Sequence, residues 1–350
     1  MLRPFCLPFR RRTPLSALLG PLLAMGCLPD PDIKVPDFKP SGVVDLATSR
    51  LDAGPPPDSG RVSWLPDQSV RNGQTLRAIL SDPSGQVFAV GHVGTILRRG
   101  GSSWISEPAV DAAKVLTSNL YGAGSSGSDL YAVGEAGVIV KRATDKWQQE
   151  AKELGLTTSL FAITATTSGD LYAVGDAGTI LRKPMGGVWS RDSVDAGLAN
   201  ADFRAVVVSR PDELFAVGLG GVIARRSAGK WSPDSVPVDA GDRGNYYGVV
   251  VTSESVFVAG EYGRVLRRDA DKWRRESTVP QSGQTIHFLA LGASGSDLTV
   301  VGTLGTIQRR DGSTKTWTLE DSSTLLTLSG LSTAQPLRAV GAQGTVVVRK

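Results

Sequence analysis

From residue 62 to the C-terminus, short apolar runs of four to six residues alternate with clusters of Gly, Ser, Asp and Pro, and none leads into a helical stretch. Runs of Val, Ile, Leu and aromatics of this length predict β-strands, and the clusters between them predict turns. The pattern also repeats. "FAVGHVGTILRR" at 88–99 returns as "YAVGEAGVIVKR", "YAVGDAGTILRK" and "FAVGLGGVIARR" at intervals of 41 to 43 residues. The glycine that closes the first run falls at Gly91, Gly134, Gly175, Gly218, Gly260, Gly302 and Gly341, and two residues separate each from a second glycine. A β-branched stretch, a basic pair and, in every unit but the last, a tryptophan follow. Repeats of this period mark solenoids, propellers or arrays.

Each unit resolves into four strands, which in the third are "SLFAITA", "DLYAVG", "GTILRK" and "VWSRDS". A type I′ turn between the paired glycines would force Val93 or Tyr262 to positive φ, so a type I turn closed by a left-handed glycine is expected. That demand accounts for the second glycine, and a phosphate-cradling loop would require a helix after it. Seven four-stranded units point to an all-β fold, a seven-bladed β-propeller, because radial closure leaves no long sheet edge exposed. The seventh unit stops at "GTVVVRK" without its tryptophan strand, while a spare "RVSWLPD" precedes the first. Trp64 is therefore expected to pair into the last blade and close the ring. It would join Trp104, Trp147, Trp189, Trp231, Trp273 and Trp317 in equivalent places.

The N-terminus reads differently. Arg10, Arg11 and Arg12 precede an apolar run from Leu15 to Met25 that is too short to span a bilayer, and "LLAMGC" ends at Cys27. The arrangement resembles a bacterial lipoprotein signal, which implies a signal peptide at 1–26 and an acylated Cys27; an ordinary secretory signal with an incidental cysteine is the alternative. Residues 28–61 are rich in Pro and Asp, poor in aromatics and aperiodic, the composition of a disordered tether. The expected organisation is a signal at 1–26, a lipidated tether at 27–61 and a propeller at 62–350. Removing the signal takes four of the 38 basic residues and no acidic one, leaving 34 against 34. A neutral domain carries no long-range field to hold nucleic acid, and membrane association is expected through the lipid alone. Only Cys6 and Cys27 occur, so the propeller has no disulfide framework and no thiolate metal site.

The stretch from Gly91 to Trp104, with its "GxxGTILRR" and following tryptophan, resembles the repeat of the photosystem II assembly factor family and its bacterial relatives, over residues 62–350. The turn "RRDGSTKTW" at 309–317 is also similar to the Asp-box turn of sialidase-type propellers. The first resemblance implies a protein-binding scaffold. The second implies a glycosidase or carbohydrate binder.

Candidate binding residues are those that vary where the repeat is otherwise constant. On the innermost strand they are Arg77, Tyr121, Phe161, Arg204, Tyr247, His287 and Thr327, and a small residue follows in the first five blades. The glycine turns on the same face carry His92, Glu135, Asp176, Glu261 and Tyr262. Such a mixture around a concavity suits a binding mouth, or else it lines a water-filled channel. Glu135, Asp176 and Glu261 offer carboxylates for glycoside hydrolysis. Sialidase-like chemistry needs three converging arginines, however, and the mouth supplies Arg77 and Arg204. The sequence thus favours a non-enzymatic scaffold or assembly factor without cofactor or metal, binding a protein or glycan partner; a sialidase-type glycoside hydrolase is the alternative. With Leu28 rather than aspartate after Cys27, the lipoprotein resemblance implies the outer membrane, on its periplasmic or cell-surface side. The basic pairs, from Arg98-Arg99 to Arg349-Lys350, are expected on the opposite face as a solvated ladder neutralised by Asp82, Asp129, Asp170 and Asp212.

Overall fold

The computed structural model describes residues 62–67, 73–111, 114–234, 244–281 and 283–350; the signal, Cys27 and the tether lie outside them. These residues form seven antiparallel sheets. Blade 1 runs from Leu76 to Ser106, blade 2 from Leu120 to Glu150, blade 3 from Leu160 to Arg191 and blade 4 from Phe203 to Pro233. Blade 5 spans Tyr246–Glu276 and blade 6 Phe288–Glu320. Blade 7 pairs three strands between Leu328 and Arg349 with the N-terminal strand Trp64–Pro66, opposite Val347–Arg349. The predicted closure is thus present, and Trp64 is fully buried. In blade 2, Val110 also bridges in parallel to Gln148, adding a small ribbon to its outer edge.

Two expectations about the glycines meet different outcomes. The first of each pair is required by close approach: a side chain at Gly91 would collide with the Thr75 carbonyl oxygen, and the same collision recurs at Gly134, Gly175, Gly218, Gly260, Gly302 and Gly341. The turn itself is type I′ and not type I. Ala136 has φ 53° and ψ 34°, Gly137 φ 71°, and Val93, Ala177, Tyr262, Leu304 and Gln343 share the left-handed conformation. Two-residue connections between right-twisted strands favour this geometry. The neighbouring blade helps to hold it, since Asn119 Oδ1 accepts the Val93 amide at 2.9 Å and Asp202 Oδ1 the Ala177 amide at 3.0 Å.

The hydrophobic core is shared between blades, and so is its polar seam. Each tryptophan is followed three residues later by a carboxylate: Asp67, Glu107, Glu150, Asp192, Asp234, Glu276 and Glu320. Asp192 of blade 3 accepts both Trp231 Nε1 and Arg226 Nε of blade 4, each at 3.0 Å. Asp234, Glu150 and Glu320 do the same for Trp273 with Arg268, Trp189 with Lys183, and Trp64 with Arg349. Asp67 of the closing strand binds Trp104 and Arg99. Glu107 and Glu276 bridge two arginines each instead. The guanidinium also lies on an aromatic ring of the previous blade, as with Arg142 over Phe88 at 4.9 Å and Arg226 over Tyr172 at 5.1 Å.

The expected solvated ladder is therefore only half right. Lys141 and Arg182 pair with Asp129 and Asp170 as foreseen. Asp82 instead accepts backbone amides of Ser84 and Gln86, and Arg225 pairs with Glu213 rather than Asp212. In blades 1 to 6 the second basic residue of the pair is an inter-blade staple, down to 1 % exposure at Arg310. In blade 7 the staple is Arg349, so Val348, and not Arg349, takes the first position of the pair.

Candidate functional site: the mouth of the propeller

Every inner strand carries a bulge at one place, where its register against the second strand shifts between the first and third residues. The extra residue is Arg77, Tyr121, Phe161, Arg204, Tyr247, Leu289 or Ser329. A bulge re-aims its side chain. Here Arg77, Arg204 and Tyr247 meet the glycine turns at the mouth. His287 and Thr327 are two residues out of register with the variable position. They precede the strand, where their carbonyls accept the amides of Thr303 and Ala342. His287 still belongs to the mouth, because its ring lies 5.4 Å from that of Tyr262.

The bulged residues of the first four blades form one continuous arc. Arg77 Nε donates to His92 Nε2 at 2.9 Å. His92 meets Tyr121 edge-on at 6.5 Å, and Tyr121 stacks on Phe161 at 5.0 Å with 14° between planes. Arg204 lies over the other side of Phe161, its guanidinium carbon 3.9 Å from the ring centroid, and pairs with Asp176 at 2.9 Å. Offset stacking and a guanidinium on an aromatic face each add to simple burial. In blade 5 the Tyr247 hydroxyl donates to Glu261 at 3.3 Å, and burial pushes its pKa up to about 12. It is a fixed neutral donor at physiological pH. The arc stops there, since blades 6 and 7 place Leu289 and Ser329 at the same position.

The three carboxylates suggested for catalysis are each engaged locally. Glu135 accepts the Asn119 amide at 3.1 Å, Asp176 holds Arg204, and Glu261 accepts from the Asn245 amide and side chain at 3.0 and 2.9 Å. Among the turn tips, the sequence reading named Tyr262 as a candidate and left out Val93 and Leu304. Val93, Tyr262 and Leu304 project large exposed side chains from left-handed backbone, Tyr262 being 59 % exposed. Their signal was the non-glycine residue before the second glycine.

No protein-family model matches this sequence, and no curated protein matches it. Solved structures share its fold. The structure of YCF48 bound to D1 peptide superposes with a TM-score of 0.62 at 17 % identity, over 81 % of this chain and 94 % of that one. YCF48 from Cyanidioschyzon merolae gives 0.66 at 16 % identity, over 82 % and 98 %. Virginiamycin B lyase from Staphylococcus aureus gives 0.66 at 14 % identity, over 83 % and 99 %. The likeness extends over the seven-bladed ring, and it spans binding proteins and an enzyme alike.

Proposed function

We propose that this protein is a non-catalytic propeller, anchored to the outer membrane through Cys27, that holds a protein partner at its mouth. The observation that carries this reading is the strain at the turn tips. A left-handed non-glycine residue costs about 1–2 kcal/mol, and such strain persists where function requires it. Folding alone would favour glycine at these tips, as at Gly220. Val93, Tyr262 and Leu304 instead stand on the turns of the face that carries the arc of stacked aromatics and arginines, the residue types from which interfaces draw their energy. The peptide held by YCF48 supports a peptide-binding role for this architecture. The local engagement of Glu135, Asp176 and Glu261 favours positioning over proton transfer, and the sequence "LLAMGC" supports the anchor.

The test is capture from detergent-solubilised membranes. Phe161→Ala and Tyr262→Ala should each weaken retention of the captured partner by about 1–3 kcal/mol, whereas Glu135→Gln should leave it unchanged. Turnover of a chromogenic glycoside that Glu135→Gln, Asp176→Asn or Glu261→Gln abolishes would overturn the non-catalytic reading. Retention of glycans alone would overturn the choice of a protein partner.

A further inference from the structure

Blade 7 lacks one hairpin, the one that joins the third and fourth strands in the other blades, because the two ends of the propeller meet there. The Lys350 amide donates to the Ser63 carbonyl at 3.0 Å. Those hairpins lie on the face opposite the glycine turns, so the chain enters the propeller on the face away from the mouth. The same face holds a departure from the sevenfold pattern. In the cleft between blades 2 and 3 the two cations are Lys141 and Lys183, whereas the clefts on either side are faced by Arg98 with Arg142 and by Arg182 with Arg226. Both ammonium groups approach one ring, at 5.8 and 5.6 Å from the centroid of Tyr131. They line a cleft of about 620 Å³ together with Ser126, Thr167 and the carboxylate of Asp129. Above it the blade 3 hairpin displays Met185 and Val188, 77 and 76 % exposed, where blades 2, 4 and 5 place lysine in front of the tryptophan.

We propose that this cleft binds the phosphate of an anionic lipid headgroup, with Met185 and Val188 entering the boundary between headgroups and acyl chains. Lys141 is paired with Asp129 at 2.7 Å and Lys183 with Glu150 at 2.9 Å. An ammonium has three rotatable N–H donors, so each lysine keeps donors for a phosphate after making its pair. Arginine in the same position commits a planar fork to its carboxylate and its ring. The apolar pair beside the cations is the composition by which proteins rest on an interface. A lipid surface is favoured over a soluble anion by the point at which the chain enters. The tether begins at blade 7, across the ring from blade 3, and the two contacts together would hold this face along the membrane with the mouth turned outward. The proposal rests on the anchor reading for nearness to a membrane and for the face turned towards it, and it is independent of what the mouth binds.

The test uses the chain from position 27 onward with Cys27→Ser, so that no acyl group contributes. It should co-sediment with vesicles containing phosphatidylglycerol and much less with phosphatidylcholine alone. Lys141→Gln should lower sedimentation about fivefold. The double variant Met185→Ser/Val188→Ser should lower it by a similar factor, and an unchanged melting temperature of each variant shows that the fold is kept. Equal sedimentation of all three proteins would overturn the proposal, as would binding of inorganic phosphate without binding of vesicles. Whether Cys27→Ser releases the protein from membranes in cells reports separately on the anchor.

Discussion

Val93 is a β-branched residue at φ 53°, exposed at the tip of its turn, where asparagine or glycine would sit with little strain. Asparagine tolerates the left-handed region without the backbone entropy that glycine loses on folding. Val93→Asn should therefore raise stability by about 0.5–1.5 kcal/mol, seen as a higher denaturation midpoint at unchanged slope, while partner capture falls. A lower midpoint would mean that Val93 serves packing, and the link between strain and binding would go with it. At this scale the site was only partly legible. Arg77, Tyr121, Phe161, Arg204 and Tyr247 could be aligned because each is followed by alanine or glycine on a crowded inner strand. In blades 6 and 7 the bulge falls at Leu289 and Ser329, which are neither aromatic nor charged, and His287 and Thr327 lie two residues before them. The small residue after the bulge recurs there as Ala290 and Gly330, so the same signal marks Leu289 and Ser329 once the strand is aligned on it.

The element that holds the propeller together is the carboxylate placed three residues after each tryptophan. Both partners of its ion pair are largely shielded at the blade 3 to blade 4 seam, where Arg226 and Asp192 side chains are 8 and 11 % exposed. Removing one member of such a pair leaves the other charge buried and costs about 3–5 kcal/mol. Asp192→Asn should destabilise by about 3 kcal/mol, since it also weakens the bond to Trp231. Asp195→Asn, which breaks an exposed pair with Lys230 at 3.4 Å, should leave the unfolding midpoint nearly where it was. Equal midpoints for the two variants in urea unfolding would remove the staple from the account. Strands, blades and tryptophan ring were legible because they recur within one unit. The staple was not, although tryptophan, two residues and an acid occur seven times, because its partners belong to successive blades and only closure of the ring brings them together.

For the whole molecule, stability depends on the seams on either side of blade 7, which differ from the rest: between blades 6 and 7 Thr299 stands where the other blades place an aromatic ring. Between blades 7 and 1 the aromatic shelf under the staple cation is replaced by Arg338, whose pKa is lowered by burial and by the charge of Arg99 nearby. Trp104 at this seam is only partly buried, unlike the other tryptophans. Asp67 binds both Arg99 and Trp104, and it sits at the end of a closing strand only three residues long. On the other side of that strand Trp64 fills a core formed with Val301, Ile307, Leu328 and Val347 from blades 6 and 7. Burying a tryptophan removes about 150–250 Å² from water, roughly 4–6 kcal/mol at 25 cal/mol per Å². Deleting residues 28–61 should accordingly leave the melting temperature almost unchanged. Extending the deletion through Asp67 removes the tryptophan, the carboxylate that binds Arg99 and Trp104 and the pairing partner of Val347–Arg349, and it exposes an unpaired edge. The longer truncation should melt at least 10 °C lower or aggregate, and adding back a peptide of residues 62–67 should recover part of the loss. If both truncations melt alike, the ring is closed by something other than its first strand.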